Sequence, residues 1–157
     1  VHRIDADTEG LVVFALDSRA AAGMIRLFKE HKVKKTYLAW CVGSIEPKGS
    51  IKTPLKKHKT DQLESARTDY VRIKSKGNFT LVRVMPYTGR FHQIRRHFDS
   101  VGHALVGDPK YGSPGAWEGF FKPSQQPGLM LLAESVEFAH PMTRRQQTIK
   151  VKAPEGY

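Results

Sequence analysis

Apolar residues occur along this chain in short runs, and the period of each run predicts an element. Residues 11–16, Leu-Val-Val-Phe-Ala-Leu, are continuously apolar over the length of a buried strand. Asp17 and Ser18 follow, and each can cap a helix, because its side-chain oxygen accepts from an amide that the first turn leaves unpaired. From 19 to 32, Ala21, Met24, Ile25 and Phe28 recur at helical spacing among Arg19, Arg26, Lys29 and Glu30, the pattern of an amphipathic helix. Segment 34–43 predicts a strand through Tyr37-Leu38-Ala39-Trp40-Cys41-Val42, ended by Gly43. Residues 44–64 are polar and interrupted by Pro47, Gly49 and Pro54, which predicts one or two strands joined by loops. Stretches 66–74 and 79–86 predict strands joined in a hairpin around Lys76-Gly77-Asn78. A second helix is expected over 91–101, after the Thr88-Gly89-Arg90 turn. Residues 107–128 hold five glycines and four prolines and predict a long loop, which in a compact domain is more often functional than idle. Strands return at 129–138 and 147–152. The pattern is that of one α+β domain: a mixed, mostly antiparallel sheet with a few packed helices.

Composition narrows the class. A chain of 157 residues can bury a core without disulfides or a structural metal. Its single cysteine, Cys41, cannot form an internal disulfide, which fits a reducing compartment, and the cytoplasm is expected. The net charge of +11 implies a polyanionic partner, nucleic acid before membrane. No apolar run approaches the roughly 18 residues that a membrane-spanning helix needs, and no amphipathic anchor of the right type is present. The chain opens at Val1 and enters a motif at once, which reads as a fragment lacking an upstream portion.

Four stretches can carry chemistry. In the first, residues 2–10, the carboxylates Asp5 and Asp7 lie in a turn-rich segment with His2 and Arg3. A carboxylate beside a guanidinium stays ionised, the state that a carboxylate nucleophile needs, although composition alone fits a capped loop with a surface ion pair. In the second, 34–39, Tyr37 can pack, stack on a base or move a proton. The third, 88–97, holds three arginines and two histidines where a helix opens, a setting that suits phosphate. His92 and His97 are five apart, which misses the spacing of four that places two metal ligands on one helical face, so no metal is expected. The fourth, Gly107-Asp108-Pro109-Lys110-Tyr111-Gly112, reads as a turn. The basic run 56–59 reads as a solvated face available to phosphate, and Trp40 and Trp117 as packing residues.

Taken together and in this order, the four stretches resemble the RluA family of pseudouridine synthases. His2-Arg3-Ile4-Asp5 with Thr8 and Gly10 resembles that family's His-Arg-Leu-Asp-x-x-Thr-Ser-Gly motif, and Lys35-Thr36-Tyr37-Leu38-Ala39 its Lys-x-Tyr-x-Ala strand. Thr88-Gly89-Arg90-x-His92-Gln93-Ile94-Arg95 resembles its third motif, Gly107-Asp108 through Tyr111-Gly112 its Gly-Asp-x-x-Tyr-Gly turn, and His140-Pro141 also fits. The resemblance implies isomerisation of a uridine in folded tRNA or ribosomal RNA, with no metal or organic cofactor. It implies Asp5 as nucleophile, Arg95 as its ion-pair partner, and Tyr37 as the residue that stacks on uracil and acts as general base. Arg3 is implied in holding the nucleotide out of its stack, and Arg90, His92, Gln93 and Arg96 are expected against the RNA. A monomer with no obligate protein partner is expected. Two departures stand out: Glu9 replaces the usual serine and adds a carboxylate near Asp5, and Leu132, expected in the core, replaces a common histidine. The alternative from another class is a catalytically silent RNA-binding domain on the same scaffold; a hydrolase using Asp5 and Asp7 as an acid/base pair ranks last.

Overall fold

Central strands that read as apolar runs are buried on both faces, and three such strands organise this fold. In a computed structural model, which describes residues 1–122 and 128–157, they are β2 (Lys34–Val42), β7 (Phe79–Pro86) and β8 (Leu131–Ala139). Around them lie β1 (Glu9–Gly10), β3 (Lys48–Ile51), β6 (Thr68–Lys76) and β9 (Gln146–Lys150). The sheet order is β1-β8-β2-β7-β6-β3, with β9 also on β8, and only the β1–β8 pairing is parallel. β4 (Leu55–Lys56) and β5 (Leu63–Glu64) form a separate small hairpin. Two α-helices are described, α1 (Ser18–Lys29) and α2 (Gln93–Ser100), so the expected α+β class holds.

Alternation along the strands divides the core. Ala39, Cys41, Val82 and Val84 pack with Ile94 and Phe98 of α2 on one face. Leu38, Trp40, Leu81 and Leu132 pack with Val106 and Trp117 on the other. Leu132 and both tryptophans are therefore core residues, as expected. Asp17 caps α1 by accepting from the Ala20 amide at 2.8 Å. The β6–β7 hairpin turns through Gly77, whose φ of +56° glycine adopts without penalty.

Three expectations change. Residues 11–16 do not form a strand; Phe14 and Leu16 are 80% and 99% exposed. β2 occupies one edge of β8, while β1 and β9 take Leu132–Ala133 and Ser135–Ala139 on the other, so the run bonds β8 only through the Leu11 amide, to Ala133 O at 3.1 Å, before β9 takes over that edge. On α1 the buried face is Met24 and Leu27, with Ile25 exposed, a rotation of the expected stripe. Within the predicted loop 107–128, Pro114–Trp117 form a 3-10 turn, and residues 123–127 lie outside the described residues.

Candidate active site

The 5–8 turn that carries Asp5 is fixed by a hydrogen bond from the Thr8 amide to the Asp5 carbonyl at 3.0 Å. β1 then anchors that turn to β8. Gly10 is required there: its φ is +104°, and a Cβ would run into the Ala133 backbone. Behind the turn, His2 stacks on Phe28, and its Nε2 accepts from the Val13 amide at 2.8 Å. Burial, and with it the Lys35 charge, holds His2 below its ordinary pKa, in the neutral form that can accept.

Asp5 opens onto a cleft of about 760 Å³ between this segment, β2 and the loop 88–92. Tyr37 and Lys35, two residues apart on β2, line the same cleft. Burial, reinforced by the Asp5 charge, pushes the Tyr37 phenol up to about 12, so it is protonated across the neutral range. Arg3, Arg90 and Gln93 also line the cleft, with Lys29, His31 and His58, which makes its rim strongly basic. Thr8 Oγ1 is buried in its wall with no partner among the described residues.

Arg95 enters from α2 with a side chain 2% exposed. Its Nη1 lies 3.9 Å from Asp5 Oδ2 and 3.6 Å from Asp7 Oδ2. Its tightest partner is Asp108: Nε donates to Oδ2 at 2.8 Å and Nη2 to Oδ1 at 2.7 Å, a two-point fork. Asp108 is fully buried and also accepts from the Lys110 and Tyr111 amides, at 2.9 and 3.1 Å. Burial raises its pKa, but the Arg95 hydrogen bond, the two amides and the guanidinium charge outweigh that and hold it below the ordinary 3.8. The residue read as part of a turn is thus the principal anion for Arg95. Glu9, the carboxylate that replaces the usual serine, is exposed on β1 and bears on the Tyr157 phenol; the carboxylate that shares Arg95 Nη1 with Asp5 is Asp7.

The remaining residues of the third motif are held largely by the protein. Gln93 is buried; its Oε1 accepts from Thr88 Oγ1 (2.6 Å) and the Arg90 amide (3.0 Å), and its Nε2 donates to Arg67 O and Thr68 Oγ1 (both 3.0 Å). His92 sits in the left-handed region at φ +49°, with Nδ1 3.2 Å from the Tyr111 hydroxyl. Arg90 pairs with Glu64 at 3.2 Å and donates to Ser65 O at 3.1 Å, while Arg96 donates to Lys56 O at 2.9 Å. Both arginines therefore clasp the β4–β5 hairpin. Arg3 is exposed at the cleft. Asp5 and Tyr37 share the cleft, and Arg95 meets Asp5 from behind its lining, in which His92 and Arg96 also take no part. Asp108 and Lys35 were not singled out from the sequence, although both stand inside motifs that the family resemblance had marked.

Residues 1–100 match the family description RNA pseudouridylate synthase. The chain is 34% identical to tRNA pseudouridine synthase C of Pasteurella multocida, over 95% of this chain and 70% of that protein. It is also 34% identical to the dual-specificity RNA pseudouridine synthase RluA of the same organism, over 99% of this chain and 73% of that one. The solved structure of human RNA pseudouridylate synthase domain containing 1 superposes with a TM-score of 0.80 at 26% identity, covering 98% of this chain and 68% of that one. Across eight curated relatives that it matches, the chain spans from 35% to 74% of their length. A shared description across residues 1–100, a shared fold and relatives this similar show that the chain belongs to the RNA pseudouridylate synthase family, in its RluA-type branch.

Proposed function

We propose that this chain, as a catalytic domain, isomerises a uridine of tRNA or ribosomal RNA to pseudouridine, with Asp5 as nucleophile. The observation that carries the reading is the meeting of Asp5 and Tyr37 in one basic cleft, with Arg95 behind Asp5. A base inside folded RNA must leave its stack to react, at about a few kcal/mol, and an aromatic face and an arginine plane replace part of that stacking. Tyr37 and Arg3 are suited to those two tasks. A phenol raised to about 12 is a weak source of phenolate at neutral pH, so Tyr37 acts chiefly through its ring and as a hydrogen-bond donor. In this reading Arg90, His92, Gln93 and Arg96 serve the RNA through the loop and hairpin that they hold. The same reading takes the enzyme to be a monomer in the cytoplasm that uses no cofactor.

The test is tritium release from RNA labelled at uracil C5, comparing wild type with Asp5→Asn on bulk tRNA and ribosomal RNA. Release by wild type alone is expected, with RNA affinity retained in the variant. Normal turnover by Asp5→Asn would remove the nucleophile from the proposal. Tight binding with no release from either RNA by wild type would favour a silent RNA-binding domain.

A further inference from the structure

A buried cation without an anion is costly, so a protein that keeps one in a cleft invites a ligand to complete it. Lys35 is such a cation. It is half-buried on β2, two residues from Tyr37, in the cleft that holds Asp5. Its Nζ donates to the Thr88 carbonyl at 3.3 Å, and the loop passes so close that a Cβ on Gly89 would stand 3.7 Å from it. An ammonium has three donors, and a neutral carbonyl at that distance takes one. Among the described residues no carboxylate lies within ion-pair distance of Nζ. The Asp5 carboxylate is turned to Arg95, and the other carboxylates near the site, Asp7 and Asp108, are also partners of Arg95. Burial alone depresses the Lys35 pKa, with no opposing carboxylate to raise it.

We infer that Lys35 is an anion-binding residue of the substrate site, which contacts an oxyanion of the target nucleotide held between Asp5 and Tyr37. This rests on the isomerase reading above. The reaction offers two anions of that chemistry. One is the nucleotide's backbone phosphate. The other is uracil itself: as Asp5 bonds to ribose C1′, the C1′–N1 bond breaks and its electron pair leaves with uracil. That pair is spread onto the uracil oxygens until C5 attacks C1′ and releases the carboxylate; the C5 proton then leaves to water and N1 takes one up. A fixed positive charge held beside the reacting nucleotide stabilises either anion.

The test compares Lys35→Gln, Lys35→Met and Lys35→Arg with wild type in single-turnover tritium release and in RNA-binding titrations over a salt series. Gln keeps a donor for Thr88 without the charge, which separates charge from tethering. Melting temperatures identify any variant that fails to fold. If uracil is the anion, Gln and Met lower the saturated rate by about 100-fold at unchanged affinity. If phosphate is the anion, the saturated rate holds, affinity weakens, and the salt slope flattens by about 0.7–0.9, the contribution of one phosphate. In both cases Arg retains most of what Gln loses. A folded Gln variant with wild-type rate, affinity and salt slope would overturn the inference. So would an Arg variant that is folded yet as impaired as Gln, because charge would then not be the property required. If wild type itself released no tritium, the isomerase reading would fail, and the binding arm would still test Lys35 as an anion site.

Discussion

Arg95 carries a permanent charge where water scarcely reaches, and its three carboxylate neighbours share it unequally. Asp108 takes one edge of the guanidinium by two short bonds, which leaves Nη1 for Asp5 and Asp7 at longer range. Asp108 thus orients the arginine that faces the proposed nucleophile. Removing Arg95 strands Asp108, which is 0% exposed, more than it strands Asp5. Arg95→Ala is expected to lower stability by about 3–5 kcal/mol, read from urea unfolding, and to slow tritium release. A variant as stable as wild type would show that the pair contributes little. The pH dependence has a definite sign. A carboxylate depressed in the fold stabilises it above the unfolded pKa, and that stability is lost as pH falls through the folded value. Wild type should therefore lose urea resistance steeply below about pH 4. Asp108→Asn should be less stable at neutral pH and flatter over the acid limb; an equally steep limb would point to other carboxylates.

Glutamine 93 shows how one side chain shapes an element. With Thr88, Arg90, Arg67 and Thr68 all bonded to its amide, it ties the loop 88–92 to the start of β6 and so sets the cleft wall opposite Asp5. Leucine has nearly the same size but can meet none of these bonds, and buried partners left unsatisfied cost about 1–3 kcal/mol. Gln93→Leu is expected to melt roughly 4–8 °C lower, for about 2 kcal/mol in a chain of this length. Thermal unfolding followed by circular dichroism checks it, and an unchanged melting point would mean that the loop is held by its other contacts. From the sequence Gln93 read as RNA-facing. Its amide donates and accepts equally well to RNA or to protein, and spacing alone does not say which is in reach. The same holds for Arg90 and Arg96, which bond the β4–β5 hairpin.

At the scale of the whole molecule, part of the +11 charge faces the cleft, whose lining carries Arg3, Lys29, Lys35 and Arg90 with the carboxylate of Asp5. Beside the cleft the hairpin presents Lys57 and Lys59, both exposed. RNA affinity should fall linearly with salt on logarithmic axes, with a slope of about −3 to −5 if about four to six phosphates are engaged. Lys57→Glu and Lys59→Glu should each flatten that slope by about one while leaving the saturated rate intact. Anisotropy titrations across a salt series measure this. A slope unmoved by both substitutions would mean that the RNA lies away from the hairpin.

Local signals were enough wherever the partner is near in the chain. Asp17 caps its own helix, Gly77 turns its own hairpin, and the apolar runs of β2 and β7 identify central strands whatever their neighbours. The motifs holding Asp5, Tyr37 and Arg95 were legible too, because their residue types and order form a specific pattern. Tertiary structure decided everything that depends on which distant group arrives. The run 11–16 has a strand's composition, but the stretch of β8 along which it would continue β1 is taken by β9, and β2 fills the other side. Asp108 has a turn's composition, yet the closure of the 107–111 segment onto α2 makes it the buried partner of Arg95. Lys35 is one of two adjacent lysines in the sequence, and only the strand's alternation, with the loop 88–92 folded over it, puts that one in the cleft. A hydrophobic period records which face a residue takes; charge pairing and edge occupancy are set by contacts between distant segments, which no local period encodes.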